Sequence, residues 1–180
     1  MRFVFSEPEE RSLRLDGLSW SHGSVNWPSP TPPLMAERAE VISRIIPDWA
    51  IVAAHTAGWV YTGLGRAEPW ALVCKKGPAI SPLVRREWKP RSITVADSEI
   101  QMIRGLTLTS SHRTLQDLLE WPGNDEVAAC QLFDLATNDT LEAATTQALR
   151  RSRAARTSHR IQVRATLTKK WWDSYPFVTR

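Results

Sequence analysis

Gly105-Leu-Thr-Leu-Thr-Ser-Ser-His-Arg-Thr-Leu-Gln-Asp-Leu-Leu119 is the stretch whose reading decides the fold. Its first half alternates, which predicts a strand over Leu106–Thr109, and its second half sets Leu115, Leu118 and Leu119 at helical spacing. Thr109 or Ser110 stands where a hydroxyl satisfies the free amides of a first helical turn. The helix is therefore expected to run through Glu120 and to close at Trp121-Pro-Gly123. On the upstream side, Arg104-Gly105 separates this strand from Ile100-Gln-Met-Ile103, the pattern of two strands joined by a tight turn.

Further upstream, Ser92-Ile-Thr-Val-Ala96 alternates as another strand, and Trp70-Ala-Leu-Val-Cys74 is a short apolar run punctuated by Lys75-Lys-Gly-Pro78. Ala50 to Tyr61 is almost wholly apolar with small residues Ala53, Ala54, Ala57 and Gly58. It reads as a buried helix capped by Asp48, with a strand over 49–53 as the rival reading. Leu34, Arg38, Val41, Ile42, Ile45 and Ile46 form a stripe at helical spacing that Pro47 ends. Downstream, 125–136 is expected to be a helix with Val127, Ala128, Leu132 and Leu135 facing in. Asp139 or Thr140 then caps another that begins at Leu141. The sum is an α+β (or α/β) unit over residues 34–149: a small mixed sheet of about four to five strands packed against several helices.

Residues 1–33 read as an irregular, proline-rich segment. In Trp27-Pro-Ser-Pro-Thr-Pro-Pro33 the prolines remove backbone donors and push their predecessors out of the helical region. Ser12-Leu-Arg-Leu-Asp16 alternates and offers one edge strand at most, so the three short helices of a helix-turn-helix are not expected here. The first ten residues turn acidic before reaching signal-peptide length, and no run approaches the roughly 18 apolar residues of a spanning helix. A cytoplasmic protein with no membrane association is the expectation.

The net charge of +4 conceals a split. Residues 150–180 hold nine Arg or Lys against Asp173 alone, whereas residues 1–149 hold fourteen basic and eighteen acidic residues. An acidic body with a basic, helical tail over 150–180 points to a polyanion or an acidic partner surface. Arg153, Arg156, Arg160 and Arg164 follow at steps of three and four, one cationic face on a continuous helix. Alternatively Thr157-Ser158 starts a fresh helix carrying Ile161, Val163 and Leu167 inward, with Arg160, Arg164, Lys169 and Lys170 exposed. Together with Arg150 and Arg151 these are the candidate nucleic-acid contacts, of a kind that gives salt-sensitive, largely sequence-independent binding. The other readings are a solvated face and a surface for an acidic protein partner.

Other chemistry is not signalled. Cys74 and Cys130 lack disulfide or zinc spacing and read as small hydrophobes. His22, His55, His112 and His159 are scattered, so neither a metal nor another cofactor is expected. His55 on an apolar helix has no adjacent nucleophile or acid and reads as a satisfied core residue. No phosphate-cradling glycine loop or nucleophile elbow is present, and only one acidic residue follows Glu142, which argues against a metal-dependent nuclease. The chain is therefore not expected to be an enzyme. Tryptophan is the compositional oddity, with nine copies that read as core and element-edge residues; base stacking requires them to cluster on one surface.

The order of elements from Ala53-Ala-His-Thr-Ala-Gly-Trp-Val-Tyr-Thr-Gly63 to Leu119, and the motif Thr109-Ser-Ser-His-Arg-Thr-Leu-Gln-Asp-Leu118, resemble the C-terminal domain of AbiEi-type antitoxins. These are the regulator half of bacterial type IV toxin–antitoxin systems, associated with phage defence. The motif fits the family's Thr-Ser-x-x-Arg-Thr-x-x-Asp-Leu pattern through Thr109, Ser110, Arg113, Thr114 and Asp117, and His55 falls where the family tends to have a Ser-His pair. The resemblance implies an antitoxin-like or transcriptional-regulator-like protein without catalysis, with nucleic acid and a nucleotidyltransferase-type toxin as partners. The alternative it leaves is a protein-interaction module that has lost DNA binding. Physically, the motif's hydroxyls serve the helix start. Arg113 and Asp117 lie one turn apart in the order that is weaker in an isolated helix, which calls for tertiary partners.

Overall fold

A computed structural model describes residues 11–12, 15–16, 20–22, 25–27, 32–74, 80–122, 125–136 and 138–174. It is an α+β fold in which a four-stranded mixed sheet carries a helical bundle. The sheet strands are β3 (Ala50–Val52), β4 (Leu72–Cys74), β5 (Ile100–Ile103) and β6 (Leu106–Thr109); an earlier pair, β1 (Trp20–His22) and β2 (Val25–Trp27), forms a separate antiparallel hairpin. The sheet order is β4-β3-β6-β5, antiparallel except where β3 runs parallel to β6. The helices are α1 (Met35–Ser43), α2 (Ala54–Thr62), α3 (Pro82–Trp88), α4 (Ser111–Glu120), α5 (Asp125–Leu135), α6 (Asn138–Arg151) and α7 (Ala155–Ser174).

The deciding stretch folds as its pattern dictates. Ile103 pairs with Leu106 across Arg104 and Gly105, both at positive φ (47° and 81°), the backbone a two-residue hairpin turn demands. Ser110 then caps α4, its Oγ accepting from the Arg113 amide at 3.3 Å. Every residue of α4 from Arg113 to Leu119 is buried, because the helix has neighbours on all sides: α2, α5, α6, α7 and strand β6.

The sheet buries both faces. Ala50, Val52, Leu72, Leu106 and Leu108 pack against Ala39 and Ile42 of α1 and Trp59 and Val60 of α2. Ile51 and Val73 point the other way, toward Val95 and Trp121, as alternation along a strand requires. A third cluster joins Leu115, Leu118 and Leu119 of α4 to Leu132 of α5, Leu141, Ala144 and Ala148 of α6 and Ile161 of α7. Residues beyond 149 thus contribute to the core.

Several expectations are corrected. The apolar run 50–61 divides into β3 and α2, with Ala53 at the start of the helix rather than Asp48. Ser92–Ala96 forms no strand: the chain makes one parallel bridge, Arg91 to Val73, and Val95 then enters the core cluster over the sheet. Pro82–Trp88, not foreseen, is a helix with no buried residue. Asp139 and Thr140 lie inside α6, which begins at Asn138. Of the stripe read for α1, Leu34 and Ile45 lie just outside the helix and are exposed, whereas Arg38 is buried with Ile42 and Ile46 as the stripe implied. Arg38 earns that place by donating from Nε to Val60 O (2.9 Å) and from Nη2 to Tyr61 O (3.0 Å), the free carbonyls at the end of α2. Within the stretch read as an edge strand, Asp16 N–H donates to Ser12 O at 2.9 Å, a helical spacing, and the residues between fall partly outside those described. The turn at 75–78 and Gly123 also fall outside them.

Candidate functional site

Two arrangements bring together the residues singled out from the sequence. The first is a buried ionic node around the motif in α4. Arg113, 4% exposed, donates from Nε to Asp117 Oδ1 at 2.9 Å and from Nη1 to Glu99 Oε2 at 2.6 Å. Arg151, in the last turn of α6, reaches the other Glu99 oxygen at 3.2 Å. Four alternating charges therefore tie α4 to α6 and to the short 3₁₀ turn Asp97–Glu99. Thr109 and Thr114 complete the motif, their hydroxyls 2.8 Å apart across the strand–helix junction. The tertiary partner anticipated for Arg113 is thus Glu99, which nothing local in the sequence marked.

The node's electrostatics follow from burial and pairing. Burial pushes the Asp117 carboxyl up to about 6, against the opposing charge and hydrogen bond of Arg113; among the described residues Oδ2 has no hydrogen-bond partner. Arg113 is desolvated too, but its two carboxylates outweigh that and raise its pKa. For Glu99, burial pulls upward, yet the Ala96 amide and the two arginines prevail and hold the carboxyl below its usual range.

Next to this node, His55 takes its place on α2. Its Nε2 lies 2.6 Å from Pro69 O, and burial, opposed by that bond and reinforced by the Arg66 charge, holds the imidazole below its usual pKa. The preceding residue, Ala54, sits at φ 44°, a conformation that strains a residue with a Cβ. A cleft of about 120 Å³ opens here, walled by Leu118, Trp121, Val127 and Ala128. His55, Arg66 and Asp117 also line this cleft, and the contact with Pro69 O fastens the loop to α2.

The second arrangement is the basic C-terminal region. The continuous cationic face is broken, because α6 ends at Arg151 and α7 begins at Ala155, with the Ser152 amide donating back to Ala148 O at 3.0 Å. Arg153 therefore sits in the linker. Arg164 is 1% exposed: its Nη1 donates to the carbonyls of Leu118 (2.5 Å), Leu119 (3.2 Å) and Trp121 (2.6 Å), capping α4. Arg160 does related work through Nη1 to Glu120 O at 3.0 Å. The inward face of α7 is accordingly Ile161, Arg164 and Thr168, while Val163 and Leu167 remain partly exposed, contrary to the apolar periodicity. What stays at the surface is Arg150, Arg153, Arg156, Lys169 and Lys170. Among the described residues no carboxylate forms an ion pair with these five.

Among the described residues no group of three or more His, Cys, Asp or Glu is placed to hold a metal ion, and no helix is long and apolar enough to cross a membrane. Cys74 and Cys130 are free thiols, each only partly buried. Comparison with family models, with curated proteins and with solved structures gives no match.

Proposed function

We propose that this chain is a non-catalytic, AbiEi-like regulator that binds nucleic acid through the cationic corner where α6 meets α7. The observation that carries the reading is the exposure of Arg150, Arg153 and Arg156, spread over the last turn of α6, the linker and the first turn of α7, without a carboxylate partner among the described residues. Three guanidiniums at one corner neutralise phosphates at a favourable entropy of counterion release, whatever the base sequence. Lys169 and Lys170, also exposed, extend the positive surface along α7. The Thr109–Asp117 motif supports the family likeness in a structural capacity, since its charged members are buried in the node and hold the scaffold that presents this corner.

Because Ile161 and Arg164 belong to the core and to the cap of α4, the test uses surface substitutions in the intact chain. Arg150→Gln, Arg153→Gln and Arg156→Gln combined alter the surface alone. Binding of full-length protein to a labelled duplex, followed by anisotropy across a salt series, is expected to weaken. The slope of log affinity against log salt should shrink by roughly 2 to 3. Equal binding and equal slope in the triple variant would remove the corner from consideration and favour a surface for a protein partner.

A further inference from the structure

We propose that a second surface, the groove between α3 and the loop 63–71, binds single-stranded nucleic acid, with a base stacked against Trp70 and Trp88 and the flanking phosphates held by Arg66 and Lys89. The inference does not rest on the α6–α7 corner, and neither stands or falls with the other.

Tryptophan is abundant in this chain, but its copies are not equivalent. Trp59 is wholly buried, and Trp121, 8% exposed, has its ring under the Arg91 guanidinium at 4.5 Å. Trp70 and Trp88 differ. They are eighteen positions apart in sequence, pack by one part against the core above the sheet, and leave the rest as walls of a shared open groove of about 740 Å³. No local pattern pairs them; the exposed helix α3, absent from the periodicity, brings Trp88 to the loop that carries Trp70.

The rim supplies the matching charge. Arg66 and Lys89 line the groove, and Arg85 and Arg86 lie on the helix that forms its wall, against Glu68 and Glu87. Glu68 is half-buried and already engaged within the protein, so the accessible balance is positive. Aromatic side chains and cations lining one groove suit an unpaired base with its phosphates: every base offers a π-face, and a guanidinium and an ammonium are at hand for the backbone. A duplex keeps its base faces covered, so this groove selects single strands, whereas the α6–α7 corner reads only backbone charge.

The test titrates full-length protein with a thymidylate oligomer of about eight nucleotides, an ordinary site length for such grooves, reading tryptophan fluorescence and the anisotropy of a labelled copy. Saturable quenching is expected. Arg66→Ala with Lys89→Gly, both at exposed positions, should weaken single-strand affinity tenfold or more while changing duplex affinity less than twofold. Glycine suits residue 89 because its φ is 46°. Trp88→Leu keeps an apolar contact with the core and should abolish most of the quenching; a melting temperature near that of the parent certifies the fold. If Trp88→Leu melts early, the exposed double variant carries the test by itself. Thymidine 5′-monophosphate is the second arm: saturation as tight as the oligomer would show a mononucleotide site and overturn the strand reading. Absence of quenching, or unchanged affinity in the double variant, would overturn the site altogether.

Discussion

Arg113 stands one turn before Asp117 on α4, its Nε 2.9 Å from Oδ1, in the order that helps an isolated helix less. Both side chains are buried, and Glu99 closes the far side of the guanidinium. The pair is therefore held by tertiary structure, and its value lies in what its loss leaves behind. Arg113→Met strands a buried carboxylate without its donor and is expected to cost about 3–5 kcal/mol in urea denaturation. Arg113→Met combined with Asp117→Leu removes both charges and should recover much of that loss. A single-variant cost below about 1 kcal/mol would show that the node is dispensable to the fold.

Protonation of Asp117 gives the node a pH signature. With the folded carboxyl at about 6 and an unfolded value near 3.9, the folded chain holds the proton more tightly. The group's stabilisation is full below the unfolded value and is lost as pH rises through 6. Between pH 7 and pH 5 it should add about 1 kcal/mol. His55, held below its usual value, works in the opposite direction over the same interval. Glu99 acts at lower pH, its contribution being lost as pH falls through its depressed value. The informative quantity is therefore the difference between parent and Asp117→Asn, followed by thermal melts at pH 5, 6 and 7. The acid-side gain should vanish in the variant; its persistence would assign the pH dependence elsewhere.

The parts of the fold that were legible from sequence are those set by local pattern. The β5–β6 hairpin was readable because Arg104-Gly105 interrupts two alternating runs, and α4 because Ser110 precedes a leucine stripe. Ser92–Ala96 alternates as well, yet pairing is a property of two strands, and among the described residues β4 bridges the neighbouring Arg91, through Val73, and not this run. Arg164, read as exposed, misled for a related reason, whereas Arg38 is buried in keeping with its place in the stripe of α1. Each is long enough to bury its stem and deliver its guanidinium to free carbonyls at the end of another helix, α2 for Arg38 and α4 for Arg164. Glu99 and the meeting of Trp70 with Trp88 had no local mark at all, since both depend on separations that only the tertiary fold closes.

Arg164 separates the structural from the solvent-facing cations of the C-terminal region. Its Nη1 serves the carbonyls of Leu118, Leu119 and Trp121, so Arg164→Leu leaves buried acceptors at the end of α4 without that donor. Hydrogen bonds to a charged group are worth about 1.5–3 kcal/mol, and the variant is expected to lose at least that much stability. Lysine in its place keeps the charge but not the planar fork, and should restore less than half of the loss. Under conditions where the variant is still folded, the salt slope of duplex binding should match the parent's, because a side chain 1% exposed neutralises no phosphate. A slope smaller by about 0.9 would instead place Arg164 in contact with nucleic acid and require α7 to detach from α4 on binding.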